Sequence, residues 1–283
     1  MTLFGDFEEK YTEREGAQVA ILPVPYDGTS TWIKGADKGP EALLDASYNL
    51  EFYDIETDSE VYLQGIYTHE PVTEASSPEA MAVAVEKSAG ELIDEGKFVL
   101  MLGGEHSVSI GTIKAHADRF PNLTVLQLDA HSDLRDEYHD SKYNHACVMA
   151  RAQELCPIVQ VGIRSMDSGE LTRMERSHVF FAENIHDNKE WMDKAIDLMT
   201  DNVYLTIDLD VYDPAILPGT GTPEPGGLLW YPVLEFLRKV YERKNVVGAD
   251  VVELCPIQGN KTSEFFAAKL VYKLLTYKFC LEK

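Results

Sequence analysis

Thr124-Val125-Leu126-Gln127-Leu128-Asp129-Ala130-His131-Ser132-Asp133 is the stretch on which the reading of this chain turns. Its first half reads as a short strand. Its second half places polar residues at every other position. In extended chain alternate side chains face the same way, so Asp129, His131 and Asp133 can converge on one point past the strand's carboxyl end. Two more strands end alike. The run 98–102, too apolar for a wet face, passes into Gly103-Gly104-Glu105-His106, and 203–207 passes into Asp208-Leu209-Asp210.

Outward from these segments, short β-branched runs alternate with helical patterns. Further strands are expected at 19–23, 158–163 and 246–254. Helices are expected at 81–95, 107–120, 147–155, 189–199, 231–243 and 263–279. This β-α-β rhythm predicts an α/β fold, a three-layer α-β-α arrangement with a mostly parallel central sheet. No repeat or linker interrupts it, so one domain over 1–283 is expected. Ligands in open α/β sheets sit at the strands' carboxyl ends, where the polar clusters fall.

His106, Asp129, His131, Asp133, Asp208 and Asp210 make four carboxylates and two imidazoles. A single Zn²⁺ takes about four ligands with more nitrogen or sulfur character. An oxygen-rich set of this size suits two divalent ions sharing carboxylates, Mn²⁺ ahead of Fe, Co or Zn. Two such ions lower the pKa of a shared water. Any one of these residues alone reads better as a cap, a turn or a buried hydrogen bond; three clusters at strand ends argue for chemistry. A calcium loop starting at Asp208 fails, because its sixth and twelfth positions are Asp213 and Gly219. Dinucleotide, P-loop and serine-hydrolase signatures are absent from the sequence.

The composition narrows the partners. Against 25 basic residues stand 48 acidic ones, a formal charge of −23. Phosphate backbones and anionic lipid need Lys and Arg patches, so neither nucleic acid nor a membrane is expected, and the field favours cations. The four cysteines form no CxxC pair. The first residues lack the basic and apolar regions of a secretory signal. Reduced thiols and a cytoplasmic location are the expectation.

Gly103-Gly104-Glu105-His106, Asp129-Ala130-His131-Ser132-Asp133 and Asp208-Leu209-Asp210-Val211-Tyr212-Asp213-Pro214 resemble the signature blocks of the ureohydrolase family of arginases, agmatinases, guanidinobutyrases and formimidoylglutamases. Val24 to Thr29, Gly35 to Pro40, Gly219 to Gly227 and Asp250-Val251-Val252-Glu253 extend the resemblance over nearly the whole chain. It implies an arginase/deacetylase-like fold and two Mn²⁺ per chain. His106, Asp129, Asp133 and Asp208 would hold the first ion; Asp129, His131, Asp208 and Asp210 would hold the second, with Asp129 and Asp208 bridging. Asp133 would also orient the nucleophile and relay its proton to the leaving amine. Glu253 would grip the substrate's guanidinium, and His145 would contact substrate or shuttle protons.

Leu134-Arg135-Asp136-Glu137-Tyr138 lacks the Asn- and Ser-containing pattern of arginases, and Asp-Leu-Arg at 133–135 with Gly162-Ile163-Arg164-Ser165 resembles the agmatinase group. Agmatine, cut to putrescine and urea, is thus the expected substrate. N1-aminopropylagmatine, 4-guanidinobutyrate and arginine remain alternatives, as does a non-catalytic relative that binds polyamines or a partner. Leu44 stands where many relatives have Arg. Arg135 is expected to pair with Asp136 or Glu137, although it would also suit an acid-bearing substrate. A homo-oligomer, trimer or hexamer, is implied by the resemblance alone.

Overall fold

The computed structural model describes residues 2–281. Eight strands run through it: β1 (Val19–Val24), β2 (Ile66–Thr68), β3 (Phe98–Gly103), β4 (Leu123–Leu128), β5 (Ile158–Ile163), β6 (Val179–Phe181), β7 (Asn202–Asp208) and β8 (Asn245–Val252). They form one sheet in the order β2-β1-β3-β8-β7-β4-β5-β6. Every pairing is parallel. Strands β1, β3, β4 and β5 are buried along their whole length, as strands covered on both faces must be.

The helices are α1 (Gly39–Ser47), α2 (Pro78–Asp94), α3 (Ser109–Ala117), α4 (Val148–Gln153), α5 (Ala182–Ile185), α6 (Glu190–Asp197), α7 (Trp230–Arg243) and α8 (Thr262–Cys280). Alternation along β1 divides them into two layers. Val19 and Ile21 belong to one continuous apolar cluster that also holds Leu43 of α1, Trp191 of α6, Phe236 of α7 and Leu270 of α8. Ala20, Leu22 and Val24 pack with Met81, Val85 and Leu92 of α2. Ile113 of α3 and Met149 of α4 fill the same second face beneath β4 and β5. The three-layer arrangement read from the sequence is present.

Local signals account for the element ends. Ser77 caps α2 by accepting from the Ala80 N–H at 3.1 Å, with Pro78 in the first turn. The helix expected from 107 is preceded by a 3-10 turn at His106–Val108, because the Glu105 side chain accepts from the Ser107 N–H at 2.8 Å. Four elements are additional to those expected: α1, the four-residue α5 and the edge strands β2 and β6. Each edge strand has three residues, too few to display a period of two.

The topology places the site. β3, β8, β7 and β4 are successive neighbours, and their carboxyl ends carry the Gly-Gly-Glu-His, Glu253, Asp-x-Asp and Asp-x-His-x-Asp segments. After β3 the chain skips two strand positions to β4, which β7 and β8 later fill. The polar segments therefore meet over the middle of the sheet, at a topological switch point.

Candidate active site

Gly104 allows the first ligand segment to lie against the end of β1. A Cβ there would sit 1.9 Å from the Tyr26 carbonyl oxygen, while Gly104 N–H donates to Val24 O at 2.8 Å and Glu105 N–H to Tyr26 O at 2.9 Å. His106 follows, buried, with Nδ1 at 3.1 Å from Asp129 Oδ2, 3.1 Å from Asp133 Oδ2 and 3.3 Å from Asp208 Oδ2. His131 Nδ1 lies 2.9 Å from Asp210 Oδ2 and 3.6 Å from Asp129 Oδ1. The donors form two groups, His106 with Asp129 and Asp208, and Asp129 with His131 and Asp210, each with its ligand atoms within 4.8 Å of one another. Asp129 belongs to both groups. Asp208 falls in one.

Two of the functional candidates adopt left-handed backbone, Asp133 at φ +51° and Glu253 at φ +64°. Such angles are uncommon outside glycine and persist where surrounding structure holds them. The Asp133 carbonyl accepts from the Met149 and Ala150 N–H groups at the start of α4, at 3.0 and 3.2 Å. Glu253 N–H donates to Gly104 O at 2.8 Å.

The electrostatics test whether metal fits. His106 Nδ1 is buried and makes no hydrogen bond, although three carboxylate oxygens surround it. Burial and the Asp129 charge push Asp133 up to about 7. Burial, then the charges of Asp210 and Asp129, hold Asp208 well above the carboxylate range. Burial opposes ionisation of Asp129 too, but His106 and His131 outweigh it and leave that carboxyl low. Burial pulls both imidazoles down, yet the surrounding carboxylates raise them overall. The cluster is short of positive charge and carries an unpartnered nitrogen aimed at oxygens. Divalent cations answer both deficits, so the donor set fits metal ions.

A cavity of about 270 Å³ opens over the cluster, lined by His106, His131, Asp133, Asp208, Asp210, His145 and Glu253 among others. Glu253 Oε1 accepts from the His106 N–H at 2.8 Å, and burial, then the neighbouring Glu105, raises its pKa. His145 Nδ1 lies 3.1 Å from Thr29 Oγ1, which also accepts from the His145 N–H at 3.0 Å. Burial first, then the charges of His131 and His106, brings its pKa down to about 4.

Several supporting residues escaped the sequence reading. Gln127 Nε2 donates to Asp129 Oδ2 at 2.7 Å, and Gln160 Nε2 donates to Gln127 Oε1 at 2.6 Å. Their signal was available, as two amides inside strands otherwise fit only for burial. Glu170 accepts from the Ser132 hydroxyl and from the Leu134 and Asp167 N–H groups at 3.0 and 2.9 Å, tying the 132–134 turn to a capping box. Arg164 donates to the carbonyls of Asp210, Glu224 and Pro225 at 2.6, 2.8 and 3.1 Å, fastening the metal-type turn to the 219–227 loop. The expectation for Arg135 is corrected. It faces Asp167 at 3.5 Å and Glu170 at 3.6 Å and stacks on Tyr138, whereas Asp136 pairs with Arg151 and Arg173. The turn 167–170 meets Arg135 on the cavity wall, an approach no local spacing reveals.

The Arginase family model matches residues 17–276. The chain belongs to the arginase family. Among arginase-family proteins, N(1)-aminopropylagmatine ureohydrolase of Synechocystis is 41% identical over 280 residues, covering 95% of this chain and 92% of that protein. Agmatinase of Pyrococcus horikoshii is 33% identical over 276 residues, covering 95% of each chain. The crystal structure of agmatine ureohydrolase of Thermoplasma volcanium superposes with a TM-score of 0.87 at 30% identity, over 98% of this chain and 94% of that one. The four cysteines of this arginase-family chain are free. No helix among the described residues is long and apolar enough to cross a membrane.

Proposed function

We propose that the protein is a binuclear manganese ureohydrolase that cleaves the guanidino group of an amine-bearing substrate, agmatine foremost, to urea and the free amine. One observation carries this reading: His106, His131, Asp133, Asp208 and Asp210 line a single cavity with Glu253 and His145, and Asp129 belongs to both donor groups. The oxygen-rich donors favour Mn²⁺. Bound divalent ions supply a polarised water that is nucleophilic near neutral pH.

The chain's own groups do the rest. Guanidinium is resonance-stabilised and needs its central carbon held close to the nucleophile. Glu253, one oxygen fixed by the His106 N–H, offers the other to the guanidinium N–H groups. Asp133 takes the proton from the attacking water and returns it to the departing nitrogen, so the C–N bond breaks, urea forms and the amine leaves. His145, held neutral by burial and placed by Thr29, contacts the substrate or shuttles protons.

The carboxylates beside Arg135 on the cavity wall favour a cationic tail. Arg135 is already compensated by Asp167 and Glu170, which argues against its seating the carboxylate of arginine or 4-guanidinobutyrate. A second reading, N1-aminopropylagmatine as substrate, is favoured by the 41% identical relative from Synechocystis. Equimolar urea and amine from manganese-loaded protein tests the reaction; guanidine binding without turnover would leave a non-catalytic relative instead. Self-association is part of the same reading, and a light-scattering mass of one chain would remove it.

A further inference from the structure

Asp250 is fully buried in β8, and the reaction proposed above gives it no task. It faces Thr206 across the β7–β8 pairing. Its Oδ1 accepts from the Thr206 hydroxyl at 2.6 Å, and its Oδ2 accepts from the Tyr204 hydroxyl at 2.6 Å. Tyr204 also lies 2.8 Å from Thr112 Oγ1. Thr206 Oγ1, in turn, is 2.9 Å from His106 Nε2. All of these side chains are at most 1% exposed.

The direction of the chain follows from donor counting. A carboxylate only accepts, so the single Thr206 proton points to Asp250. The Thr206 oxygen can then only accept from His106, which places the imidazole proton on Nε2 and the lone pair on Nδ1. Nδ1 is the atom facing Asp129, Asp133 and Asp208. A ligating imidazole whose other nitrogen donates outward is fixed in tautomer and ring angle and is a stronger donor. Hydrogen bonds in series polarise one another.

We propose that Asp250, acting through Thr206, is a positioning residue that locks His106 with its Nδ1 lone pair toward the metal and tightens that site, with Tyr204 holding Asp250 in place. The proposal rests on the reading of His106 as a metal ligand. It differs from a plain core hydrogen-bond network in what it moves: a network supporting only the fold would change the stability of metal-free protein, not the affinity of folded protein for metal.

The test compares Thr206→Val, close in shape and without the hydroxyl, with Thr206→Ser, which keeps it. Protein is stripped, and Mn²⁺ affinity is measured by chelator competition while free Mn²⁺ is followed by electron paramagnetic resonance. Thr206→Val should weaken one manganese site roughly 10–100-fold, and Thr206→Ser should remain near wild type. Equal affinity in Thr206→Val and wild type would overturn the proposal while leaving the metal reading intact. Wild type that binds no Mn²⁺ would overturn the metal reading itself. Should Thr206→Val not fold, Asp250→Asn decides by the same measurement: weakened binding supports the relay, unchanged binding overturns it.

Discussion

Glu253 Oε1 accepts a 2.8 Å hydrogen bond from the backbone N–H of His106, which lies 147 positions earlier in the chain. The proposed guanidinium anchor is thus tied to the residue whose ring faces the carboxylate cluster. Glu253→Gln keeps an oxygen for that N–H and removes the charge. Metal content should stay at the wild-type level. Loss of a charge-assisted contact, about 1.5–3 kcal/mol, should lower kcat/KM by roughly one to two powers of ten. An unchanged kcat/KM would rule Glu253 out as the anchor.

Asp129 is shared by both donor groups, and Gln127 holds one of its oxygens. Asp129→Ala should therefore lose both ions. Asp208→Ala should lose metal as well, because its carboxylate stands 3.3 Å from His106 Nδ1. Elemental analysis after dialysis reads the outcome. Two manganese per chain in Asp129→Ala would contradict the shared assignment.

Glu170 is buried and accepts from Ser132, Leu134 and Asp167. Glu170→Gln replaces one accepting oxygen with a donor, leaving a buried N–H unsatisfied. Urea unfolding should show a loss of about 1–3 kcal/mol, accompanied by weaker manganese binding through the adjacent Asp133. Wild-type values in both measurements would deny this link a role.

His116 is a buried neutral imidazole against Tyr204 and Phe120, and burial lowers its pKa to about 4. The unfolded chain, at the ordinary 6.5, takes up the proton first. The stability this histidine contributes is present above pH 6.5 and is lost as the pH falls from there toward 4, about 1–2 kcal/mol by pH 5. His116→Phe should lose less stability than wild type between pH 7 and pH 5. Parallel losses in the two proteins would show that His116 does not set the acid response.

The site was legible in the sequence because its polar residues cluster just past apolar strands. The expected extended alternation is not kept there: β4 ends at Leu128, Asp133 is left-handed and Leu209–Val211 is a 3-10 turn. Asp129, His131 and Asp133, and Asp208 and Asp210, stand at strand ends that the apolar runs mark. Glu253 and His145 were reachable only through the family resemblance, since neither sits in a repeating pattern. Partners set by long-range approach were hidden: Arg135 with Asp167, Thr29 with His145, and Asp250 with Thr206. Those contacts depend on strand order, and the order β3-β8-β7-β4 joins segments far apart in the chain. The edge strands β2 and β6 were too short to announce themselves.

The most direct measurement is urea release by manganese-loaded protein, with kcat/KM compared across agmatine, N1-aminopropylagmatine, arginine and 4-guanidinobutyrate. Urea is expected from the guanidines with a cationic tail, at a kcat/KM well above that for the two carboxylate-bearing ones. No urea from any of the four would contradict the ureohydrolase reading.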